Sequence, residues 1–201
     1  MQESKQLELA LFDLDGTITF KNIFLAFTQF AVGKNTFLLR LITILPWLVL
    51  YYIGTISDTK LKSIFLKRFF AGVSVKELQN LSSEFNKKHM PELIKPTAMK
   101  KIKWHQACGH RVIVVSACID CWVQEWCNMH NLELIGTQLE TSNGYVTGRL
   151  ITQNCSGQEK VIRLRNYLDI SAYRHIYAYG DSRGDKDMLE IADEKFYQKF
   201  I

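Results

Sequence analysis

Proline is scarce in this chain, at 3 of 201 residues, and neither an internal repeat nor a low-complexity linker divides it. Its five cysteines (Cys108, Cys118, Cys121, Cys127 and Cys155) are odd in number, and nothing like a signal peptide precedes the first predicted strand. That argues against a disulfide scaffold and leaves reduced thiols in a cytoplasmic protein as the simplest expectation. Cys118 and Cys121 form a C-x-x-C pair, but no second Cys/His pair stands at zinc-site spacing, so helix packing is their expected role. Acidic residues are thin from Thr19 to Lys100, where 4 Asp/Glu face 12 Lys/Arg for a net +8, against −3 for the remainder. Such an imbalance favours an anionic ligand, a nucleic acid or a negatively charged membrane surface, and by itself selects none of them. No recognised nucleic-acid-binding module accompanies it, so nucleic acid is not the expected partner. What remains is ordinary for a globular protein: 47% hydrophobic, 22% charged, long enough for one core domain carrying an insertion.

Residues 7–13, LELALFD, are an apolar run ending at an acidic, glycine-bearing turn, which reads as a buried strand feeding a functional loop. From 19 to 100 the pattern changes to helical segments, with Ser57 and Ser74 as candidate N-caps and Ser74-Val75-Lys76-Glu77 at capping-box spacing. RVIVV at 111–115 predicts a second strand, followed by a helix over 119–130. Residues 132–151 read as a short strand and then a hairpin turning at Asn143-Gly144. A helix over 157–168, a strand over 174–179 and a helix over 185–192 complete the alternation. The fold class is therefore α/β: a three-layer, Rossmann-like parallel sheet covered on both faces. The 19–100 block interrupts the alternation after the first strand, so the expected division is a core of 1–18 and 101–201 with a helical cap of 19–100.

Charge is absent from residues 41–57, LITILPWLVLYYIGTIS. Seventeen residues interrupted by Pro46 and Gly54 are short for a membrane span. Basic residues flank the segment: Lys34 and Arg40 before it, Lys60, Lys62, Lys67 and Arg68 after. Three readings compete: buried cap helices, an interfacial segment lying on a bilayer, and a true span.

Asp13-Leu14-Asp15-Gly16-Thr17 carries the strongest chemical signal. Near a strand end residues two apart point to one side, so both carboxylates can converge on a ligand in the crevice beyond the strand's carboxyl end. Two close carboxylates repel, which makes a divalent metal a natural companion. Taken alone, the string is also compatible with an acidic surface turn. Elsewhere, Ser116 follows the RVIVV strand and can donate to a phosphate oxygen, Lys160 offers a cation near a helix start, and Asp181 and Asp185 follow another strand, where they can complete a magnesium site. Singly, these are a strand-end cap, a solvated lysine and a helix cap. Their shared position at strand ends is what makes them one site.

This order of residues resembles the haloacid dehalogenase superfamily, specifically the subfamily that includes phosphoserine phosphatase. The matching positions span 8–18 and 108–194 and leave the cap largely unmatched. The resemblance implies a hydrolase in which Asp13 attacks phosphorus to form an aspartyl-phosphate and Asp15 serves as general acid and then base. It implies Mg2+ held by Asp13, the Asp15 main-chain carbonyl and Asp181, with Asp185 ordering the shell. Ser116, Ala117, Lys160 and Thr17 would bind the substrate phosphate. Asp15 favours phosphate chemistry over dehalogenation, because family dehalogenases lack that acid. Two departures weaken phosphoserine as substrate: Asn22 stands where phosphoserine phosphatases carry a glutamate, and Gly184 where they carry asparagine. A lost carboxylate–ammonium contact is worth roughly 1.5–3 kcal/mol.

The expected activity is therefore Mg-dependent hydrolysis of a small phosphorylated metabolite. One alternative is a lipid phosphate met at a membrane surface through 41–57, because the apolar cap is also similar to that of phosphatidylglycerophosphate phosphatases. Another is a non-catalytic phosphate-binding module.

Overall fold

A computed structural model describes residues 7–200. The chain begins with β1 (Glu8–Phe12), whose Leu9, Ala10, Leu11 and Phe12 are fully buried. A strand apolar on both faces belongs in the middle of a covered parallel sheet, and there it lies. Helices α1 (Ile23–Val32), α2 (Lys34–Ile42), α3 (Leu45–Tyr52), α4 (Asp58–Phe70), α5 (Val75–Lys88) and α6 (Met90–Leu93) follow. The rest runs α7 (Pro96–Ala107), β2 (Arg111–Ile119), α8 (Asp120–Met129), β3 (Glu133–Thr137), β4 (Leu139–Ser142), β5 (Tyr145–Leu150), α9 (Gln158–Tyr167), β6 (His175–Gly180), α10 (Lys186–Glu190) and β7 (Glu194–Tyr197).

The five-stranded sheet has order β3-β2-β1-β6-β7, with every pair parallel. Alternation along its strands divides the core. Leu9, Leu11, Ile113 and Val115 point to one face, where Leu164 of α9 and Met188 and Leu189 of α10 cover them. Ala10, Phe12, Val112 and Val114 point to the other, beneath Ala98 and Ile102 of α7 and the α8 residues Trp122 and Trp126. Helices on both faces make the three layers that the alternation of elements predicts.

The helices between β1 and α7 join the second of these faces through aromatic rings. Phe27 stacks on Trp122 at 4.3 Å between centroids, and Phe24 and Phe70 lie 5.3 and 5.0 Å from the same ring. The serine caps are as predicted: Ser57 accepts from Lys60 N at 3.2 Å and Ser74 from Glu77 N at 3.1 Å.

Two details lie outside the sequence expectation. β2 runs on past Val115 to Ile119 with an irregular register, which places Ser116 and Ala117 inside the strand's distorted end. The hairpin turns at Asn143 (φ 51°) and Gly144 (φ 79°) as predicted, yet β4 and β5 do not join the parallel sheet. Instead, β5 pairs with residues 72–75, Val146 exchanging backbone hydrogen bonds with Gly72 and Val73. Those four residues are too short a stretch to read as a strand.

Candidate active site

β1, β2 and β6 end at the same edge of the sheet, so the loops that follow them share one crevice. Asp13, the first residue beyond β1, is fixed by its own N–H donating to Tyr179 O of β6 at 2.9 Å. Lys160 stands opposite, 1% exposed. Its ammonium donates at 2.6 Å to each of three acceptors: Asp13 Oδ1, Asp185 Oδ1 and Val115 O. Three acceptors use all three protons of a lysine, so one side chain ties β1, β2 and the turn after β6 together.

That turn is built around Asp185. Its Oδ2 accepts from Asp181 N at 3.2 Å, Ser182 N at 2.9 Å and Ser182 Oγ at 2.8 Å. Asp181 is thereby pointed into the crevice, where Thr17 Oγ1 donates to its Oδ1 at 3.2 Å. Carboxylate oxygens from Asp13, Asp181 and Asp185 lie within 4.8 Å of one another.

Burial shapes the electrostatics. It pushes Asp13 up to about 7 against the pull of Lys160, with Asp185 and Asp15 adding to the rise. Asp15 is pushed up to about 6, also mainly by burial. Burial and then the Asp185 charge raise Asp181. Asp185 would be raised by burial too, but the Lys160 charge and the hydrogen bonds from Lys160 and Ser182 prevail and hold it below the usual carboxylate range. Lys160 loses some of its basicity to burial, yet the two aspartates beside it keep it above an ordinary lysine. Three crowded carboxylates, with Asp13 and Asp181 poorly stabilised as anions, suit a small hard divalent cation such as magnesium, which takes oxygen ligands.

Asp15 departs from the geometric expectation. The chain turns directly after Asp13, so the two-residue repeat of a strand no longer governs side-chain direction. Its Oδ1 accepts from Ile23 N at 2.6 Å and its Oδ2 from Asn22 Nδ2 at 3.3 Å, at the N-terminus of α1. Asp15 is thus held beside the acidic cluster rather than within it. Ser116 is fully buried, and its Oγ accepts from Cys118 N at 3.0 Å. Ala117 contributes a carbonyl, which accepts from Lys62 and, at 2.9 Å, from Thr137 Oγ1.

Lys62 turns inward, unlike the other basic residues flanking the apolar segment. Besides Ala117 O, its ammonium donates to Asn154 Oδ1 at 2.7 Å, and burial lowers its pKa. Asn154 in turn donates to Asp58 Oδ2 at 2.9 Å and, through its N–H, to Thr59 Oγ1 at 3.0 Å. The start of α4 is therefore clamped to the loop before α9. Sequence reasoning passed over Asn154 and Lys95, whose ammonium donates to Gly16 O. It placed Lys62 among six interchangeable basic residues. A signal was present: Lys62 sits three, four and seven residues before the buried Phe65, Leu66 and Phe69, on the apolar side of α4.

Gly184, the second departure noted above, lies against Ser156 and Gly157 of the loop before α9. A Cβ there would lie 2.6 Å from Ser156 Oγ, and Gly184 O accepts from Gly157 N at 2.8 Å. The loop that delivers Lys160 packs against this position, so a larger side chain there would require the Ser156 hydroxyl to move.

An acidic cluster beyond the central strand, facing a buried lysine at the carboxyl edge of a parallel sheet, defines a class of α/β hydrolase. The family model for haloacid dehalogenase-like hydrolases matches residues 10–190, and the chain belongs to that family. Protein CicA of Caulobacter vibrioides is 34% identical over 194 residues, which cover 96% of this chain and 86% of that protein. A probable phosphatase of Mycobacterium tuberculosis is 29% identical, over 90% of this chain and 65% of the relative. Among solved structures, a Bordetella pertussis protein of unknown function superposes with a TM-score of 0.81 at 22% identity, covering 94% of this chain and 88% of its own. A substrate-bound phosphoserine phosphatase superposes with a TM-score of 0.68 at 16% identity, over 96% and 87%. These likenesses establish the fold.

Proposed function

We propose that the protein is a phosphomonoester hydrolase that works through an aspartyl-phosphate on Asp13. The single observation that carries this reading is Lys160: a fully buried cation bonded at once to Asp13 and Asp185, with Asp181 gathered into the same cluster. A structural ion pair has no need of the additional acids, whereas a phosphoryl-transfer site needs a nucleophile, a cation and a metal shell together.

Asp13 and Asp181, with the Asp15 main-chain carbonyl, would hold Mg2+, which when bound neutralises phosphate charge and leaves Asp13 ionised. Asp185 has both oxygens engaged by Lys160 and the 181–182 turn, so its part is to position those groups. An Asp13 carboxylate oxygen attacks phosphorus, the P–O ester bond breaks, and the leaving alkoxide takes a proton from Asp15. Asp15, raised to about 6, can carry that proton near neutral pH. Water then attacks the acyl phosphate, Asp15 recovers a proton, and inorganic phosphate leaves. Ser116, Thr17 and the backbone around Ala117 would bind the phosphoryl oxygens, and Lys160, its three protons already engaged, would lend its positive charge to them.

The substrate is a small phosphorylated metabolite in this reading. A second, an amphiphilic phosphomonoester, is favoured by one feature: α3 leads into α4, whose Thr59 and Lys62 reach the site loops. Hydrolysis of an aryl phosphate with and without Mg2+, compared with Asp13→Asn, tests the chemistry. A panel of soluble phosphomonoesters and dispersed lipid phosphates then separates the substrates. Undiminished turnover by Asp13→Asn would sink the nucleophile assignment.

A further inference from the structure

Helices α2 and α3 are apolar on the side that faces away from the protein. Their inner stripe is Phe37, Leu41, Ile44 and Leu48, spaced four, three and four residues apart and packed on the core. On an ordinary surface helix the opposite side is polar. Here it reads Leu38, Leu39, Ile42, Leu45 and Val49, all exposed, continuing into Tyr52 and Ile53. Of the 19 large hydrophobic residues exposed among the described residues, 9 fall within 38–53. A cluster that dense marks an interaction surface rather than the scatter any globular surface shows.

Charge identifies the occupant. No acidic residue occurs between residues 20 and 57. Lys34 stands exposed at the start of α2 and Lys60 near the start of α4. At the elbow between α2 and α3, Arg40 donates to Arg68 O at 3.2 Å and Arg68 Nε to Thr43 Oγ1 at 2.9 Å, while Lys67 is exposed beside them. An apolar face with a basic rim and no acid is complementary to an anionic lipid surface, and Trp47, Tyr51 and Tyr52 are residue types that settle at the bilayer–water boundary.

The geometry describes a segment lying on the bilayer. The two helices, of nine and eight residues, meet at 55°. They are roughly 14 and 12 Å long, each well short of the hydrocarbon core of about 30 Å. Their elbow is pinned to the protein, with Ile44 only 1% exposed. We propose that α2 and α3 form an in-plane docking surface for anionic membranes, inserting Leu38, Leu39, Ile42, Leu45 and Val49 to headgroup depth while Lys34, Lys60 and Lys67 meet the lipid charge.

Flotation with vesicles of neutral phosphatidylcholine, alone and mixed with phosphatidylglycerol, tests this on the full chain. The wild type is expected to float with the anionic vesicles and to be released by high salt. The variant Leu39→Glu/Ile42→Glu/Val49→Glu is expected to bind at least about tenfold more weakly. Circular dichroism and the melting temperature of that variant must match the wild type, and Lys34→Glu/Lys60→Glu, which leaves the apolar face intact, gives an independent reading. Three results would overturn the proposal: no flotation of the wild type, retention in membranes after an alkaline carbonate wash, which means a span, or a wild-type dimer that the triple variant makes monomeric, which assigns the face to a second copy.

Discussion

Gly16 faces the carboxylate of Asp181 with no room for even a methyl group between them. Its φ is 85°, and a Cβ built there overlaps the Asp181 side chain. Gly16→Ala therefore meets two penalties: a left-handed conformation costing about 1–2 kcal/mol, and displacement of a residue proposed to hold the cation. A misplacement near 1 Å costs on the order of a hundredfold in rate. Turnover should fall by about that factor while the melting temperature drops only modestly. Steady-state kinetics alongside a thermal melt checks it, and a variant of normal activity would refute the steric argument.

Lys160 joins three segments through one ammonium, so its removal should be costly in a way surface lysines are not. Lys160→Met leaves Asp13 and Asp185 buried without their common partner. Breaking a buried pair from one side typically costs about 3–5 kcal/mol, large against the stability of most domains. Chemical denaturation without metal should show that loss. Lys160→Arg should not restore activity, since three bonds of 2.6 Å converge on a point charge that a planar guanidinium cannot imitate.

The α/β core was legible because it obeys local rules. LALF at 9–12 and VIVV at 112–115 are apolar at every position, as buried parallel strands are, and both serine caps sit three residues before the N–H they accept from. Asp13, Lys160 and Asp181 could be read because each stands at a strand end or helix start that the pattern located. Asp15 was harder: its direction depends on the α1 N-terminus, a contact eight residues away that no periodicity encodes. Asn154 and the 72–75 pairing with β5 are tertiary, and nothing near them in the chain announces their partners.

His105 should give the protein a measurable weakness toward acid. It is fully buried, with Nε2 2.9 Å from Tyr179 Oη and Nδ1 2.8 Å from His110 Nδ1. Burial, then Lys101 and His110, lowers its pKa from 6.5 to about 3. Between those values only the unfolded chain takes up the proton, so this group's contribution is complete above pH 6.5 and lost as pH falls. The slope approaches roughly 1.4 kcal/mol per pH unit. Asp13 has the opposite sign, because its folded pKa is the higher one. The quantity to measure is therefore the difference in unfolding free energy between wild type and His105→Gln from pH 7 to 5. That difference should shrink as pH falls. A constant difference would mean that His105 does not titrate with folding.

Asn22 does two things at once: its Oδ1 caps α1 by accepting from Leu25 N at 3.0 Å, and its Nδ2 steadies Asp15. Asn22→Ala should cost about 1 kcal/mol from the lost cap, roughly 2–4 °C in melting temperature for a chain of this size. Asn22→Asp separates the two roles. Aspartate caps as well as asparagine, so stability should hold, while a second carboxylate beside Asp15 should lower kcat. Equal kcat in Asn22→Asp and the wild type would show that the contact to Asp15 is idle.

Cation binding should release protons. Asp13, raised to about 7 by burial, must ionise before it can hold a metal, and Asp181 is raised as well. Below pH 7 a divalent ion therefore competes with at least one proton, and its apparent affinity should climb with pH by up to about tenfold per unit before levelling off above 7. Titration calorimetry of Mg2+ in buffers of different ionisation enthalpy counts the protons directly: close to one at pH 6 and almost none at pH 8. Asp13→Asn removes the group that must ionise, so the variant should bind Mg2+ more weakly and with little dependence on pH. An affinity flat from pH 5.5 to 8 in the wild type would mean that Asp13 and Asp181 are not the ligands.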